Sequence, residues 1–139
     1  MSIAKPRVLV AGTELAISTC ERLLDEEAQV IAARSVPEAL ERLEPAPDLI
    51  ISSVRFDESR MFDFLQEVRS RCQAPVLCCR IVNKPLSPTM YQSIDTATKA
   101  LGVRAFFDLD TETRRHGTDE AERRLRTLIQ AHLPVRAVT

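Results

Sequence analysis

The residue best placed for chemistry is Ser53, the second of two serines that follow the apolar stretch 49–51. An unbroken Leu/Ile run predicts a strand covered on both faces, and ligand crevices of α/β sheets lie just beyond the carboxyl ends of such strands. His116 and Asp110 follow another apolar stretch and would lie along the same edge, so a Ser-His-Asp hydrolase is one interpretation. The segment around Ser53 lacks a G-x-S-x-G turn and an evident oxyanion hole, so this enzyme is the least favoured interpretation.

Arg80 is the second candidate, because it ends the apolar stretch 76–79 and would project over the same edge. Its guanidinium could pair with the carboxylate of Asp57 or of Asp108, or it could simply reach solvent. A free Arg80, together with the loop 82–88, would form a pocket for a small anion or a nucleotide. We keep that binding module as the alternative function.

Apolar stretches and helix signals predict five strands that alternate with five helices. The strands are expected at Arg7–Ala11, Gln29–Ala33, Leu49–Ile51, Val76–Cys79 and Ala105–Phe107. The helices are expected after the caps Thr13, Ser35, Ser87 and Thr118, and over the stripe Met61, Phe64, Leu65 and Val68, which Phe62 widens. The fourth helix should turn Met90, Ile94, Ala97 and Leu101 inward, and the last should bury Ala121, Leu125, Leu128 and Ile129. The segment 108–117 reads as a polar loop.

This alternation predicts right-handed βαβ units and a doubly wound parallel sheet between two helix layers, a flavodoxin-like (βα)5 sandwich. Strand order 2-1-3-4-5 is the natural candidate at this length. We expect one domain over residues 1–139, with a core of about 5–133 and a loose tail 134–139.

The composition and the net charge argue against several classes of function. The chain has a net charge of -1 with 45% hydrophobic residues, which gives no electrostatic case for nucleic acid or a membrane. Without a signal peptide or a long apolar run, we expect a cytoplasmic protein. The four cysteines lack C-x-x-C spacing and are expected to be reduced core thiols.

Five segments resemble the receiver domain of bacterial two-component response regulators, over about residues 5–133. They are VLVAGTE, PDLIISS, MFDFLQEVR, APVLCC and LGVRAFF. The resemblance implies a role in signal transduction and phosphorelay, with a histidine kinase or a regulator as partner and a homodimer as a further option. It also implies that partners meet the surface of the fourth helix, fifth strand and fifth helix, where Tyr91, Arg104 and Phe106 would lie.

The chain departs from the family at every position that the chemistry needs. The metal-binding acidic pair falls on Gly12 and Thr13, the phosphate-accepting aspartate on Ser53, the switch hydroxyl on Arg80 and the lysine on Leu109. Mg²⁺ requires hard carboxylate oxygens, and a serine without a positioned base is a weak nucleophile. We therefore expect a pseudo-receiver with no enzyme activity, cofactor or metal. The nearby carboxylates Glu14, Asp57 and Glu58 fit helix-start or loop roles.

One segment leaves the topology open. VNKPLSP, residues 82–88, looks like the Lys-Pro stretch that ends the fifth strand in many receivers, yet here it follows the fourth predicted strand. In one possible topology, residues 82–88 end the fifth strand, and residues 102–107 form an additional strand. In the topology of five alternating strands and helices, residues 82–88 form a long loop. This loop either carries a function or is a solvated insertion stiffened by Pro85 and Pro88.

Overall fold

The computed structural model describes residues 5–57 and 60–134, and these form a five-stranded parallel sheet in the order β2-β1-β3-β4-β5. The strands are β1 (Arg7–Ala11), β2 (Gln29–Ala33), β3 (Leu49–Ser53), β4 (Val76–Arg80) and β5 (Ala105–Asp108). The predicted fold class and strand order are confirmed. The altered topology is wrong, because 105–108 pairs with β4 as the fifth strand and 82–88 is a connection.

Six helices accompany the sheet within the described residues: α1 (Glu14–Leu24), α2 (Val36–Glu41), α3 (Met61–Arg71), α4 (Pro88–Ala100), α5 (Leu109–His116) and α6 (Thr118–Ala131). Three predicted caps are confirmed. The hydroxyls of Thr13, Ser35 and Ser87 accept from backbone N–H groups three residues on, at 3.3, 3.2 and 3.2 Å. Each cap satisfies a donor that the first helical turn leaves without a partner.

Alternate strand residues divide the core into two halves. One half packs Leu9, Ile50 and Cys78 against α2, α3 and α4, and the other packs Val10 and Ile51 against α1 and α6. Every residue of β3 and β4 is buried, which is why these strands lack polar alternation. The sheet therefore forms the middle of three layers.

The segment 108–117, which was predicted to be a polar loop, contains helix α5. Its acids lie in the first turn and its basic residues in the last, which complements the helix dipole. Arg114 donates to Asp110 at 2.7 Å, and His116 lies 3.5 Å from Glu112, so two i,i+4 pairs support it. Gly117, at φ 86°, separates α5 from α6, and Thr118 is the first residue of α6 rather than its cap.

Two side chains predicted to face the core do not. Met90 is 51% exposed and Phe62 is 39% exposed. The inward stripe of α4 runs instead through Tyr91, Ile94 and Thr98, and the buried hydroxyl of Thr98 donates to the Ile94 carbonyl at 2.8 Å. Ile94 and Leu101 face the core as predicted, whereas Tyr91 takes the predicted place of Met90 and its ring packs on Phe106 of β5.

None of the helices in the described ranges has the length and apolarity needed to cross a membrane. All four cysteines are free thiols, and Cys20, Cys78 and Cys79 are buried as predicted. Of the predicted tail 134–139, residues 135–139 lie outside the described residues.

Candidate functional site

The predicted site residues meet at the carboxyl edge of the sheet. Gly12 and Thr13 follow β1, while Ser53, Arg80 and Asp108 end β3, β4 and β5. Arg80 is the direct ladder partner of Asp108, and Ser53 pairs with the residue before Arg80. Parallel strands in register bring these residues together although they are far apart in the chain.

Gly12 and Ser53 pack closely against each other. A Cβ atom placed on Gly12 would lie 2.9 Å from the Ser53 Cβ and 3.2 Å from the Ala16 Cβ. Atoms this close repel strongly, so the edge has no room for an acidic side chain at Gly12 without movement of β3 or α1. Thr13 is likewise occupied, because its hydroxyl caps α1.

Ser53 is not part of a catalytic triad in this structure. Its side chain is almost fully buried, and its hydroxyl accepts from the Arg55 backbone N–H at 3.3 Å. The imidazole of His116 and the carboxylate of Asp110 make their contacts inside α5 instead. Among the described residues, Ser53 therefore has no imidazole partner to activate it.

Arg80 and Asp108 form a buried ion pair. The Arg80 Nη1 donates to Asp108 Oδ1 at 2.9 Å, and the two side chains are 8% and 0% exposed. The same Nη1 donates to the Lys84 carbonyl at 2.9 Å, and the Thr111 hydroxyl donates to Asp108 Oδ2. One network thus connects β4, β5, the 82–88 connection and α5.

Asp57, the other carboxylate predicted near Arg80, has a different role. Its Oδ2 accepts from the Val36 backbone N–H at 2.8 Å, at the start of α2, and lies 3.7 Å from Arg60 Nη1. Asp57 has a φ of 48°, which turns the chain after β3 towards α2. It is a helix cap, and Arg80 takes Asp108 as its partner.

The remaining acidic residues near the edge do not converge. Glu14 pairs with Arg34, and that hydrogen bond lowers the pKa of the Glu14 carboxyl. Glu58 lies outside the described residues. Within the described part of the chain, no three His, Cys, Asp or Glu side chains lie close enough together to hold a metal ion.

Leu109 occupies the predicted lysine position and begins α5. It is half-buried and packs with the core on the α1 and α6 side of the sheet. An apolar side chain there contributes packing, and supplies no ammonium group to the edge.

The predicted interface residues lie at different depths. The Tyr91 ring packs on Phe106 with centroids 5.0 Å apart, and Phe106 is only 7% exposed. Phe106 is therefore a support for Tyr91 and not a surface residue, because the aromatic pair buries it. Arg104 is exposed, but it precedes β5 at the opposite edge of the sheet.

A groove lies between α4 and α5 beside Tyr91. Its volume is about 320 Å³, and its lining residues are Leu86, Pro88, Tyr91, Gln92, Thr111 and Arg115. Burial raises the pKa of the Tyr91 phenol. Thr111 joins this groove to the Arg80–Asp108 pair. It was not predicted as a site residue, because the segment 108–117 was predicted to be a loop.

Comparison with solved structures decides the fold type. The N-terminal receiver domain of Klebsiella pneumoniae RstA, in its BeF3-activated form, is 12% identical, with 93% of this chain and 98% of that chain covered and a TM-score of 0.69. The chemotaxis response regulator CheY4 of Vibrio cholerae is 24% identical, with 94% and 100% covered and a TM-score of 0.65. A two-component response regulator from Clostridium difficile is 14% identical, with 87% and 98% covered and a TM-score of 0.61.

The chain has the receiver-domain fold. Comparison with protein-family models finds no match, and comparison with curated proteins finds none either. The structural neighbours are response-regulator receiver domains, so the resemblance seen in the five sequence segments is confirmed at the level of fold. This similarity concerns the fold and not the residue types at the carboxyl edge of the sheet.

Proposed function

We propose that this chain is a pseudo-receiver, a non-enzymatic module of bacterial two-component signalling that acts through protein contacts without being phosphorylated. The observation that carries the proposal is the packing of Gly12 against Ser53. Where phosphotransfer would need carboxylates, this edge holds a glycine, a capping threonine and a buried serine. Phosphoryl transfer depends on a cation that neutralises the developing charge, and these groups offer no carboxylate oxygen to bind one.

The Arg80–Asp108 ion pair supports the proposal that the carboxyl edge of the sheet has a single conformation. A buried cation beside the edge satisfies Asp108 permanently, with no added phosphoryl group. Removing either partner would leave an uncompensated charge in the interior, so the pair opposes any rearrangement that separates the carboxyl ends of β4 and β5, and Thr111 extends this restraint to α5. The network then holds the α4–α5 surface in one conformation.

We place the partner contact in the groove between α4 and α5, with a histidine kinase or a regulator in the cytoplasm as the partner. Tyr91 contributes an amphipathic ring, and Phe106 holds it from below. Arg115 adds a cation that has no carboxylate within 4 Å in residues 5–57 and 60–134. An aromatic ring beside an arginine is the composition that protein interfaces favour. Photo-crosslinking from this groove distinguishes a partner protein from a second copy of the chain.

The alternative of an anion or nucleotide site at Arg80 is not favoured. The guanidinium lies 2.9 Å from the Asp108 carboxylate and 2.9 Å from the Lys84 carbonyl. Its charge is already neutralised, and an incoming anion would have to displace a buried acid.

A titration tests independence from phosphorylation. Thermal unfolding is followed with Mg²⁺, then with Mg²⁺ and beryllofluoride, and intact mass is measured after incubation with acetyl phosphate. We expect no shift in melting temperature and no added phosphoryl mass. A specific stabilisation by Mg²⁺ with beryllofluoride would overturn the proposal, because a ligand stabilises only the state that binds it.

Site-specific photo-crosslinking tests the partner surface. A photo-reactive residue replaces Gln92 in the groove, and the matched control replaces Gln66 on the exposed face of α3. We expect adducts with a signalling protein from Gln92 alone, with a yield that acetyl phosphate does not change. Adducts with a second copy of the chain would identify a homodimer instead, and equal yields from both positions would contradict a role for the groove.

A further inference from the structure

A second cavity lies at the amino-terminal edge of the sheet, opposite the candidate site. Its volume is about 350 Å³, and it opens between the ends of α3 and α4 and the starts of β4 and β5. Pro75 and Leu101 provide apolar surface, and Arg69 and Arg104 bring two guanidinium groups. Ligand cavities of proteins begin at about 300 Å³, so a small organic molecule fits here.

The two arginines carry charge that the protein does not neutralise. Within residues 5–57 and 60–134, neither Arg69 nor Arg104 has a carboxylate within 4 Å, whereas most other arginines there are ion-paired. The acids of the two flanking helices each pair with a different cation; these acids are Asp63, Glu67 and Asp95. Two cations that face one cavity without counter-charges favour an anionic ligand.

The backbone holds Arg69 in place. Its Nη1 donates to the Ala100 carbonyl at 3.4 Å, at the end of α4. A Cβ atom on Gly102 would lie 3.2 Å from this Nη1, so the guanidinium lies close over a glycine backbone at φ 86°. The other N–H groups of Arg69 have no acceptor in the described part of the chain and stay available. A positioned guanidinium with free donors matches the geometry of phosphate oxygens.

We propose that this cavity binds a small phosphate monoester whose organic part carries a flat ring with an apolar face, such as an aryl phosphate or a nucleoside monophosphate. A phosphate monoester carries close to two negative charges at neutral pH, which matches the two arginines. The ring would pack on Pro75 and Leu101, which are both partly exposed in the cavity. This site is independent of the proposed function, because it lies at the other edge of the sheet and involves none of the residues of the α4–α5 groove.

Cys72 provides a direct reporter, because its half-exposed thiol lines the cavity. The other three thiols are buried, and burial raises the pKa of Cys20 and of Cys78 to about 12 and that of Cys79 well above its ordinary value. Alkylation of the native protein therefore reports on Cys72. A molecule that fills the cavity shields this thiol.

The experiment measures the rate of Cys72 alkylation by iodoacetamide, read by mass spectrometry, with phenyl phosphate, adenosine monophosphate, benzoate or inorganic phosphate present. We expect saturable protection of about fivefold or more by phenyl phosphate or the nucleotide, with benzoate and inorganic phosphate weaker. Arg69→Gln and Arg104→Gln should abolish protection. Arg42→Gln removes an exposed charge at the end of α2 and should leave protection unchanged.

Each other result counts against the site. Absence of protection by both phosphate monoesters overturns the proposal, as does equal protection in the two arginine variants. Equal protection by inorganic phosphate overturns the assignment of an organic ester. Circular dichroism melts verify folding; if Arg69→Gln unfolds, Arg104→Gln carries the test, because its side chain makes no hydrogen bond or ion pair within the described residues.

Discussion

Replacing Asp108 with asparagine is the sharpest test of the buried network at the carboxyl edge. Asparagine keeps the shape of aspartate and both hydrogen bonds: its oxygen can accept from Arg80, and its amide can donate to the Thr111 hydroxyl. What the variant removes is the negative charge alone. The Arg80 guanidinium, 8% exposed, then remains in the interior without a counter-charge.

The expected loss of stability is large. Breaking a buried ion pair by removing one partner costs about 3–5 kcal/mol, since the remaining charge loses its compensation. With a urea slope of about 1.5–2 kcal/mol per molar, the unfolding midpoint falls by about 2 M. That loss is a substantial share of the ~5–15 kcal/mol that holds such a domain folded.

The assay is equilibrium urea unfolding at pH 7, followed by circular dichroism. Glu67→Gln is the matched control, because it neutralises the acid of the half-exposed Arg71–Glu67 pair and should cost less than about 1 kcal/mol. The double variant Arg80→Met with Asp108→Leu should recover most of the loss, because an apolar pair carries no desolvation cost. A loss below about 1 kcal/mol in Asp108→Asn would refute the reasoning, since it would mean that water reaches the pair.

Three further predictions concern the sheet edge, α2 and the core. Gly12→Ala should destabilise the fold by about 1–3 kcal/mol in urea unfolding, because the contact with the Ser53 Cβ outweighs the smaller entropy gain in the unfolded chain. Asp57→Ala should cost about 1 kcal/mol in the same assay, because the Val36 N–H at the start of α2 loses the acceptor that supplements the Ser35 cap. The free energy of unfolding should fall as pH rises above 9, because unfolded thiols ionise near their ordinary pKa of 9.0 while Cys20 and Cys78 stay protonated to about 12.

Each of these has a matched control. Ser53→Gly should rescue Gly12→Ala, because it removes the Cβ on the other side of the contact; failure to rescue would place the strain elsewhere. Asp63→Ala, at an exposed carboxylate of α3, should change stability much less than the cap variant. Cys20→Ala should flatten the alkaline slope, and a slope unchanged from that of the wild-type protein would contradict the role of burial.

The fold was predictable because its signals are local. The buried strands β3 and β4 appear in the sequence as unbroken apolar runs, and the caps Thr13, Ser35 and Ser87 mark helix starts within four residues. The prediction failed where a helix has no apolar stripe. Helix α5 is held by charge pairs along its length and by its attachment to β5, so its residues resemble a loop.

The candidate site was predictable only in part. The sequence identified Arg80 as a residue at the edge of the sheet and left Asp57 and Asp108 as equal partners. The parallel register between β4 and β5 made the choice, because it sets Arg80 directly beside Asp108, whereas Asp57 turns away to cap α2. Phe106 was assigned to the surface because an apolar strand residue does not reveal which helix will cover it.

By itself, the sequence determined that this protein has a five-stranded α/β fold and that positions 12, 13 and 53, at the ends of β1 and β3, carry no acidic residue. These properties depend on residue type and short spacing. Only the tertiary structure decided the contact of Gly12 with Ser53, the pairing of Arg80 with Asp108, and the cavity that joins Arg69 to Arg104. Such contacts join residues 28 to 41 positions apart, and close packing and burial, rather than local preference, select one partner among several of suitable chemistry.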